Sequence, residues 1–321
     1  MATALALTAG GCVTVHGELA VVPSVTKAEA AKTLREFTAA YNAADKAHDP
    51  DLDAAHVTGA LGAINQAGLT SRGVTYPEGN PQHSPLELTD AEFAIPKKAG
   101  WPRFFVADAD SNRDRDDSAG DNRWLIVFLR TGPDDAWQAA YLTILFPQLI
   151  PELKTDEDGF AEPVALDSTA LAHAPRDLGE KYASYLETGK PEVFEDGPHT
   201  SGWRDSRKKE ATRPGRSKQY LDEPLNRDDY APLALATEDG GALAFFTVRN
   251  FERETAAKGV RIAVHPDVKA LLRGEVHSSL TKERVSSQAV VVPPAGGGSS
   301  SSSGKVAVLG RLTGLTSAKG A

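Results

Sequence analysis

Apolar positions along the chain fall into two rhythms, one helical and one alternating. Thr26-x-x-Glu29 is a capping box, and Leu34, Phe37, Tyr41 and Ala44 follow at alternating spacings of three and four, opposite Lys32, Arg35, Asn42 and Lys46. This predicts an amphipathic helix that stops at Asp49-Pro50, because the residue before a proline is driven out of the helical region. A second helix is expected from Asp51 to about Ile64, ahead of Gly68. Residues 68–90 hold Gly, Pro and Asn in abundance and read as a loop that leads to a short strand toward Phe93-Ala-Ile95. Strands are expected at Trp101–Ala107 and at Arg123–Arg130. The second is a β-rich apolar run with a charge at each end, as in a central strand covered on both faces. Thr131-Gly-Pro-Asp-Asp135 is turn chemistry, and Trp137, Tyr141, Thr143 and Leu145 lie on the return strand, Ala136–Phe146.

Pro147 and Pro151 stop this sheet, and the acidic, polar run Lys154–Glu162 reads as a connection between domains. Beyond it the plan recurs. Leu171, Leu178, Tyr182 and Tyr185 mark a helix closed by Gly189-Lys-Pro191. Residues 195–229 read as polar loop. Strands follow at Pro232–Thr237 and Ala242–Asn250, joined through Glu238-Asp-Gly-Gly241, and then at Val276–Ser287, Gln288–Val292 and Lys305–Leu315. Residues 293–304, rich in Gly and Ser, form a flexible low-complexity loop. The expected class is α+β, with two tandem halves, 26–160 and 161–321, each an N-terminal amphipathic helix packed on a curved antiparallel sheet. A long helix laid across such a meander, with the run Phe37-Thr-Ala-Ala-Tyr-Asn-Ala-Ala-Asp45, resembles the cystatin-like cone of the nuclear transport factor superfamily. That resemblance implies a sheet curved around an interior, where enzymes of the superfamily place an Asp or a His.

Residues 2–11 are small or apolar and uncharged, and Ala9-Gly10-Gly11 stands immediately before Cys12, the only cysteine. This is the small-residue cleavage context of an exported chain. No Lys or Arg precedes the run, so its basic segment is expected upstream of Met1. The arrangement resembles the lipobox of bacterial lipoproteins. The resemblance implies that Cys12 carries a diacylglyceryl group, that Ala9, Gly10 and Gly11 precede the cut, and that residues 13–25 are a tether. With the alanine-rich, lysine-poor composition, the chain also resembles a family of uncharacterised actinobacterial lipoproteins, from which no activity carries over. The plainer alternative for Cys12 is a free cysteine packed as a small hydrophobe, in a structural or signalling module that starts at Met1.

Hydrophobic residues at 40% and charged residues at 25% of 321 are globular values, enough for a core of ordinary size. One cysteine leaves no intrachain disulfide and no cysteine-based zinc site. A net charge of −9 disfavours nucleic acid, which needs a positive field. Within the body of the chain the longest apolar run, Trp124–Leu129, is far below the roughly 18 residues of a membrane span. The anchor at Cys12 is therefore the expected route to the membrane.

Asp110, Asn112, Asp114 and Asp121 match positions 1, 3, 5 and 12 of a calcium loop, but Arg115 stands at position 6, where the turn demands Gly. The run reads as a solvated hairpin loop, without a metal. The basic residues Arg204, Arg207, Lys208, Lys209, Arg213, Arg216 and Lys218 are candidates for contact with anionic lipid heads or wall polymers; as a plain alternative, Pro214-Gly215 breaks them into an exposed loop. There is no Gly-x-Ser-x-Gly elbow, and Ser24-x-x-Lys27 and Ser206-x-x-Lys209 lack a companion Lys-Thr-Gly. The expected strands line the interior with Phe, Trp, Leu and Val, and no polar residue stands out among them. No catalytic residue or cofactor is assigned. The expectation is a lipid-anchored extracytoplasmic binding or scaffold protein, partnered by an envelope protein or a small apolar ligand. An envelope hydrolase or lyase with its acid inside one cone is the alternative.

Overall fold

Thr26 caps the first helix by accepting the Glu29 N–H at Oγ1, 3.1 Å away. This helix, α1 (Lys27–Ala47), ends where His48 enters the left-handed region at φ 51°. The structure, a computed structural model, describes residues 20–115, 120–296 and 304–321. The second helix begins later than its sequence pattern indicates. Single 3-10 turns at Pro50–Leu52 and Ala54–His56 come first, and α2 spans Gly59–Thr75, with Gly68 inside it. Local side chains hold the turns: Asp49 accepts the Asp51 N–H at 3.0 Å, and Asp53 accepts Asn65 Nδ2 at 2.5 Å and Gln66 Nε2 at 2.6 Å from α2. Short polar side chains that satisfy backbone donors favour turns over helix.

The first sheet is antiparallel and consists of β2 (Leu88–Ala94), β4 (Arg103–Ser111), β5 (Arg123–Arg130) and β6 (Gln138–Leu145), in the order β2-β4-β5-β6. β1 (Val22–Pro23) and β3 (Lys97–Lys98) form a separate two-residue ladder. β5 is central and buried from Trp124 to Leu129, as its sequence required. One face of the sheet carries α1, where Phe37 meets Phe128 edge-on at 5.7 Å and Phe128 stacks on Phe105 at 4.9 Å.

In the second half α3 (Leu178–Thr188) ends on Gly189 at φ 83°, with Leu171 packed against it from outside the helix. The segment expected to be loop holds α4 (Ser201–Glu210) and a hairpin of β7 (Thr212–Arg213) with β8 (Arg216–Leu225). Pro214-Gly215 is the turn of that hairpin and not a break in it, with Gly215 at φ 73°. β8 alternates inward Arg216, Lys218, Tyr220 and Asp222 with exposed Ser217, Gln219, Leu221 and Glu223, so nearly every position is polar and no hydrophobic rhythm marks it. β9 (Leu233–Ala236) forms a hairpin with β10 (Ala242–Ala256), and α5 (Pro266–Ala270), β11 (Leu272–Arg273), β12 (Ser279–Val292) and β13 (Ala307–Gly320) complete the chain. The two strands expected over 276–292 are one, β12, whose register shifts between Ala289 and Val290. Strand order is β11-β13-β12-β10-β8-β7 with β9 also on β10, and only β11 with β13 is parallel.

The two sheets lie face to face. On β10, Ala244, Phe246 and Val248 pack under Leu178 and Tyr182 of α3, while Leu243 and Phe245 meet Val106, Leu125, Val127 and Tyr141 of the first sheet. The layers run helix, sheet, sheet, helix, an α+β architecture with mixed sheets. Tyr141 donates its hydroxyl across the layer to the carbonyls of Tyr230 (3.1 Å) and Ala231 (3.0 Å). Among the described residues no helix is long and apolar enough to cross a membrane.

Candidate functional site

The run between the halves is a structured hairpin, not a bare polar connection. Asp156 Oδ1 accepts the N–H groups of Asp158 (2.9 Å) and Phe160 (3.0 Å), and the Glu162 N–H returns to the Lys154 carbonyl at 3.0 Å. Such Asx geometry makes a turn from acidic residues. Lys97 clamps the tip through Asp156 (2.7 Å) and Asp158 (2.6 Å), while Ala161 bridges Pro96 and Pro163 bridges Leu235. The hairpin therefore forms a wall at the edge of the inter-sheet layer.

Behind this wall is a cavity. Phe104 and Val106 point into the layer, so the period of two sends Asp108 and Asp110 to the same face, beyond the apolar residues. Register sets Glu92 of β2 beside Asp108, and Arg123 of β5 beside Asp110. A cavity of about 310 Å3 has Val106, Leu125, Leu153 and Leu243 among its walls, with Glu92 and Asp108 at its edge. Across Glu92, Asp108 and Ile150 it adjoins a recess of about 500 Å3, where Asp90, Asp110, Asp121 and Arg123 also gather.

Arg123 organises this mouth. Its Nε donates to Asp108 at 2.7 Å, Nη1 to Asp90 at 3.0 Å, and Nη2 to the backbone carbonyls of Asp90 (2.9 Å) and Asp108 (3.2 Å). Burial pushes the Asp108 carboxyl above its usual range; Arg123 pulls the other way, and the charges of Glu92 and Asp90 add to the rise. Burial works against the Arg123 charge, but Asp108 and Asp90 more than offset it and hold the guanidinium protonated. Five carboxylates against one guanidinium leave the recess negative. Beside it Asp110, Asp114 and Asp121 each bring a carboxylate oxygen within 4.8 Å of the others, while Arg113 turns away to the Ser84 carbonyl at 2.5 Å. The spacing read as a solvated loop does gather its acids.

The chain belongs to the family described as Domain of unknown function (DUF8094). The family model matches residues 21–320. The chain is 54% identical to an uncharacterized lipoprotein of Streptomyces coelicolor over 99% of its own length and 93% of that protein. It is 52% identical, with the same coverage, to an uncharacterized lipoprotein of Streptomyces avermitilis. No solved structure matches it significantly.

The residues singled out from this family member's sequence fall in three places. Cys12 and Ala9, Gly10 and Gly11 lie outside the described residues. Of the basic set, Lys208, Lys209 and Arg213 stand exposed, Arg204 lies over the Tyr185 ring at 5.1 Å, Arg216 pairs with Glu254 at 3.2 Å, and Lys218 with Glu210 at 2.8 Å. Arg207 does not join the surface group. It is buried and forks onto Asp222 with Nη1 at 2.5 Å and Nη2 at 2.9 Å. The interior is also not purely apolar, because Asp108 and Arg123 line it at one end. The signal for Asp108 was the alternation Phe104, Val106, Asp108, Asp110, which continues past the last apolar residue; Arg123 registered only as the charge that bounds a strand.

Proposed function

We propose that this chain is a lipid-anchored extracytoplasmic binding protein whose inter-sheet cavity takes a small ligand with an apolar body and a positively charged end. The names of the two Streptomyces relatives support the lipoprotein reading, in which residues 1–25 are signal and tether, Cys12 bears the lipid, and Ala9, Gly10 and Gly11 precede the cut. Each half, 26–160 and 161–321, then serves as a cystatin-like helix-on-sheet unit. The ligand reading is carried by one observation: the apolar walls of Val106, Leu125, Leu153 and Leu243 run directly into a mouth of five carboxylates and one guanidinium. Apolar walls with a few convergent polar groups make a ligand site, and an acidic mouth repels an anion of the same shape. Lys208, Lys209 and Arg213 would face anionic lipid heads, and a net charge of −9 argues against nucleic acid as a partner.

Calorimetric titration of the full chain carrying Cys12→Ser, with octylammonium and with octanoate, tests the ligand. Saturable binding of the cation alone is expected, weakened about tenfold by Asp108→Asn, a change of about 1.4 kcal/mol. Equal binding of octanoate, or no binding of either, overturns it. Mass spectrometry of the mature N-terminal peptide tests the anchor, and a free Cys12 thiol would sink it. The envelope hydrolase or lyase is a second reading, favoured by the raised pKa of Asp108 inside a cavity. Turnover of an ester or glycoside that Asp108→Asn abolishes while octylammonium still binds would decide for it.

A further inference from the structure

The second half holds a site of opposite sign. Trp203 of α4 carries two guanidinium groups, Arg311 of β13 at 3.5 Å from the ring centroid and Arg207 at 4.0 Å. Arg207 is fully engaged, since Asp222 takes both its Nη donors and is itself held by Asn250 Nδ2 at 2.6 Å, while Asn250 Oδ1 accepts from Ser286 Oγ at 3.0 Å. Arg311 is less well provided, with the Tyr182 hydroxyl as its hydrogen-bonding neighbour. Its Nε and Nη1 are buried without a hydrogen-bond acceptor, and no carboxylate among the described residues lies within ion-pair distance of it. Arg311, Arg207 and Arg284 line a cavity of about 200 Å3, along with Trp203, Tyr220 and Glu252.

The charges around this cavity do not cancel. Glu252 is shared by Lys218 (3.4 Å), Lys282 (3.2 Å) and Arg284 (3.6 Å), and Lys218 is also held by Glu210. Five cations, Arg207, Arg284, Arg311, Lys218 and Lys282, thus face three carboxylates, Asp222, Glu252 and Glu210. In a chain of net charge −9 that is a local reversal. A desolvated guanidinium with undirected donors costs free energy that an apolar side chain of the same shape would not, so the cation calls for a counter-charge. Stacking on Trp203 steadies the plane of the guanidinium without neutralising it.

We propose that the cavity beside Arg311 is an oxyanion site, which receives the phosphate or carboxylate group of a small molecule or of a lipid head. The group supplies negative charge to a cluster in which cations outnumber carboxylates, and it gives the Arg311 donors an acceptor. The site is independent of the acidic pocket in the first half, and neither requires the other. The test uses the full chain and its Arg311→Met variant, which removes the guanidinium and keeps an unbranched apolar stem beside Trp203. Tryptophan fluorescence is followed during titration with inorganic phosphate at constant ionic strength set by chloride, and separately with vesicles of phosphatidylglycerol. A saturable response to phosphate, weakened at least tenfold in the variant, supports the site with a free anion; a response to vesicles alone, lost in the variant, supports it with a lipid head. Because the variant could disturb the fold, the melting temperature of the unaltered chain in phosphate against chloride is the second measurement, and a rise in phosphate is expected. No response to either probe, or the same response in both chains, overturns the proposal.

Discussion

A β-carbon placed on Gly59 would lie 2.4 Å from the carbonyl oxygen of Asp229, and the residue sits at φ +53°, where side chains are strained. Thr58, one residue earlier, donates its hydroxyl to the Asp229 carboxylate, so this is one of the points where α2 meets the second half. Gly59→Ala is expected to destabilise the protein by about 2–4 kcal/mol, from a strained backbone together with an overpacked contact. The measurement is the urea midpoint, with the slope unchanged; a midpoint within error of the parent would show that the two segments can part at no cost. Residues whose role is local were readable in advance. Thr26 reaches only to Glu29, and Gly189 ends its own helix. Arg207 was not, because its partner Asp222 is fifteen positions away across a turn that looked like a break. Asp108 was missed for a similar reason: its environment is made by Glu92, Arg123 and Leu243, none of them near it in sequence.

Strand β8 shows the same limit for a whole element. Its alternation is between two kinds of polar residue, and only β10 gives it direction by matching Lys218 to Glu254 and Tyr220 to Glu252 in register. Glu252 stands at the centre of this ladder, with Lys218 on β8 and Lys282 and Arg284 on β12. Burial pushes its carboxyl up, but Lys282, Arg284 and Lys218 pull harder, and the net position is below the ordinary range. The folded chain therefore holds the Glu252 proton less well than the unfolded chain. The stability this confers is present above the unfolded value of about 4.3 and is lost as pH falls through the lower folded value. Urea midpoints taken from about pH 5 down to about pH 3 should fall more steeply for the parent than for Glu252→Gln, which has no proton to gain. Parallel slopes would show that the ladder is too well solvated to matter.

For the molecule as a whole, the shared apolar layer is decisive. Phe245 and Leu243 of the second sheet complete the core of the first, and without them Val106, Leu125 and Val127 would face water. Phe245→Ala should cost about 3–5 kcal/mol through the cavity it leaves. Near- and far-ultraviolet circular dichroism should still report one coincident transition, because neither sheet can bury its inner face alone. Two separated transitions would instead mean that each half keeps a sufficient core of its own.

The sequence by itself determined the α+β class, α1 with its cap, the central strand Arg123–Arg130 and its hairpin, the closing of α3 on Gly189, and the β9–β10 turn. Each of these is set by a rhythm or a turn residue acting within a few positions, and such forces are present before the chain collapses. Only the tertiary structure decided that the two sheets share one layer, that the run after Pro147 becomes a wall, that β8 is a strand, and that acids gather at one end while unbalanced cations gather at the other. Those outcomes depend on cross-strand register and on burial, which bring together residues scores of positions apart, and so neither pocket could be written in a local pattern.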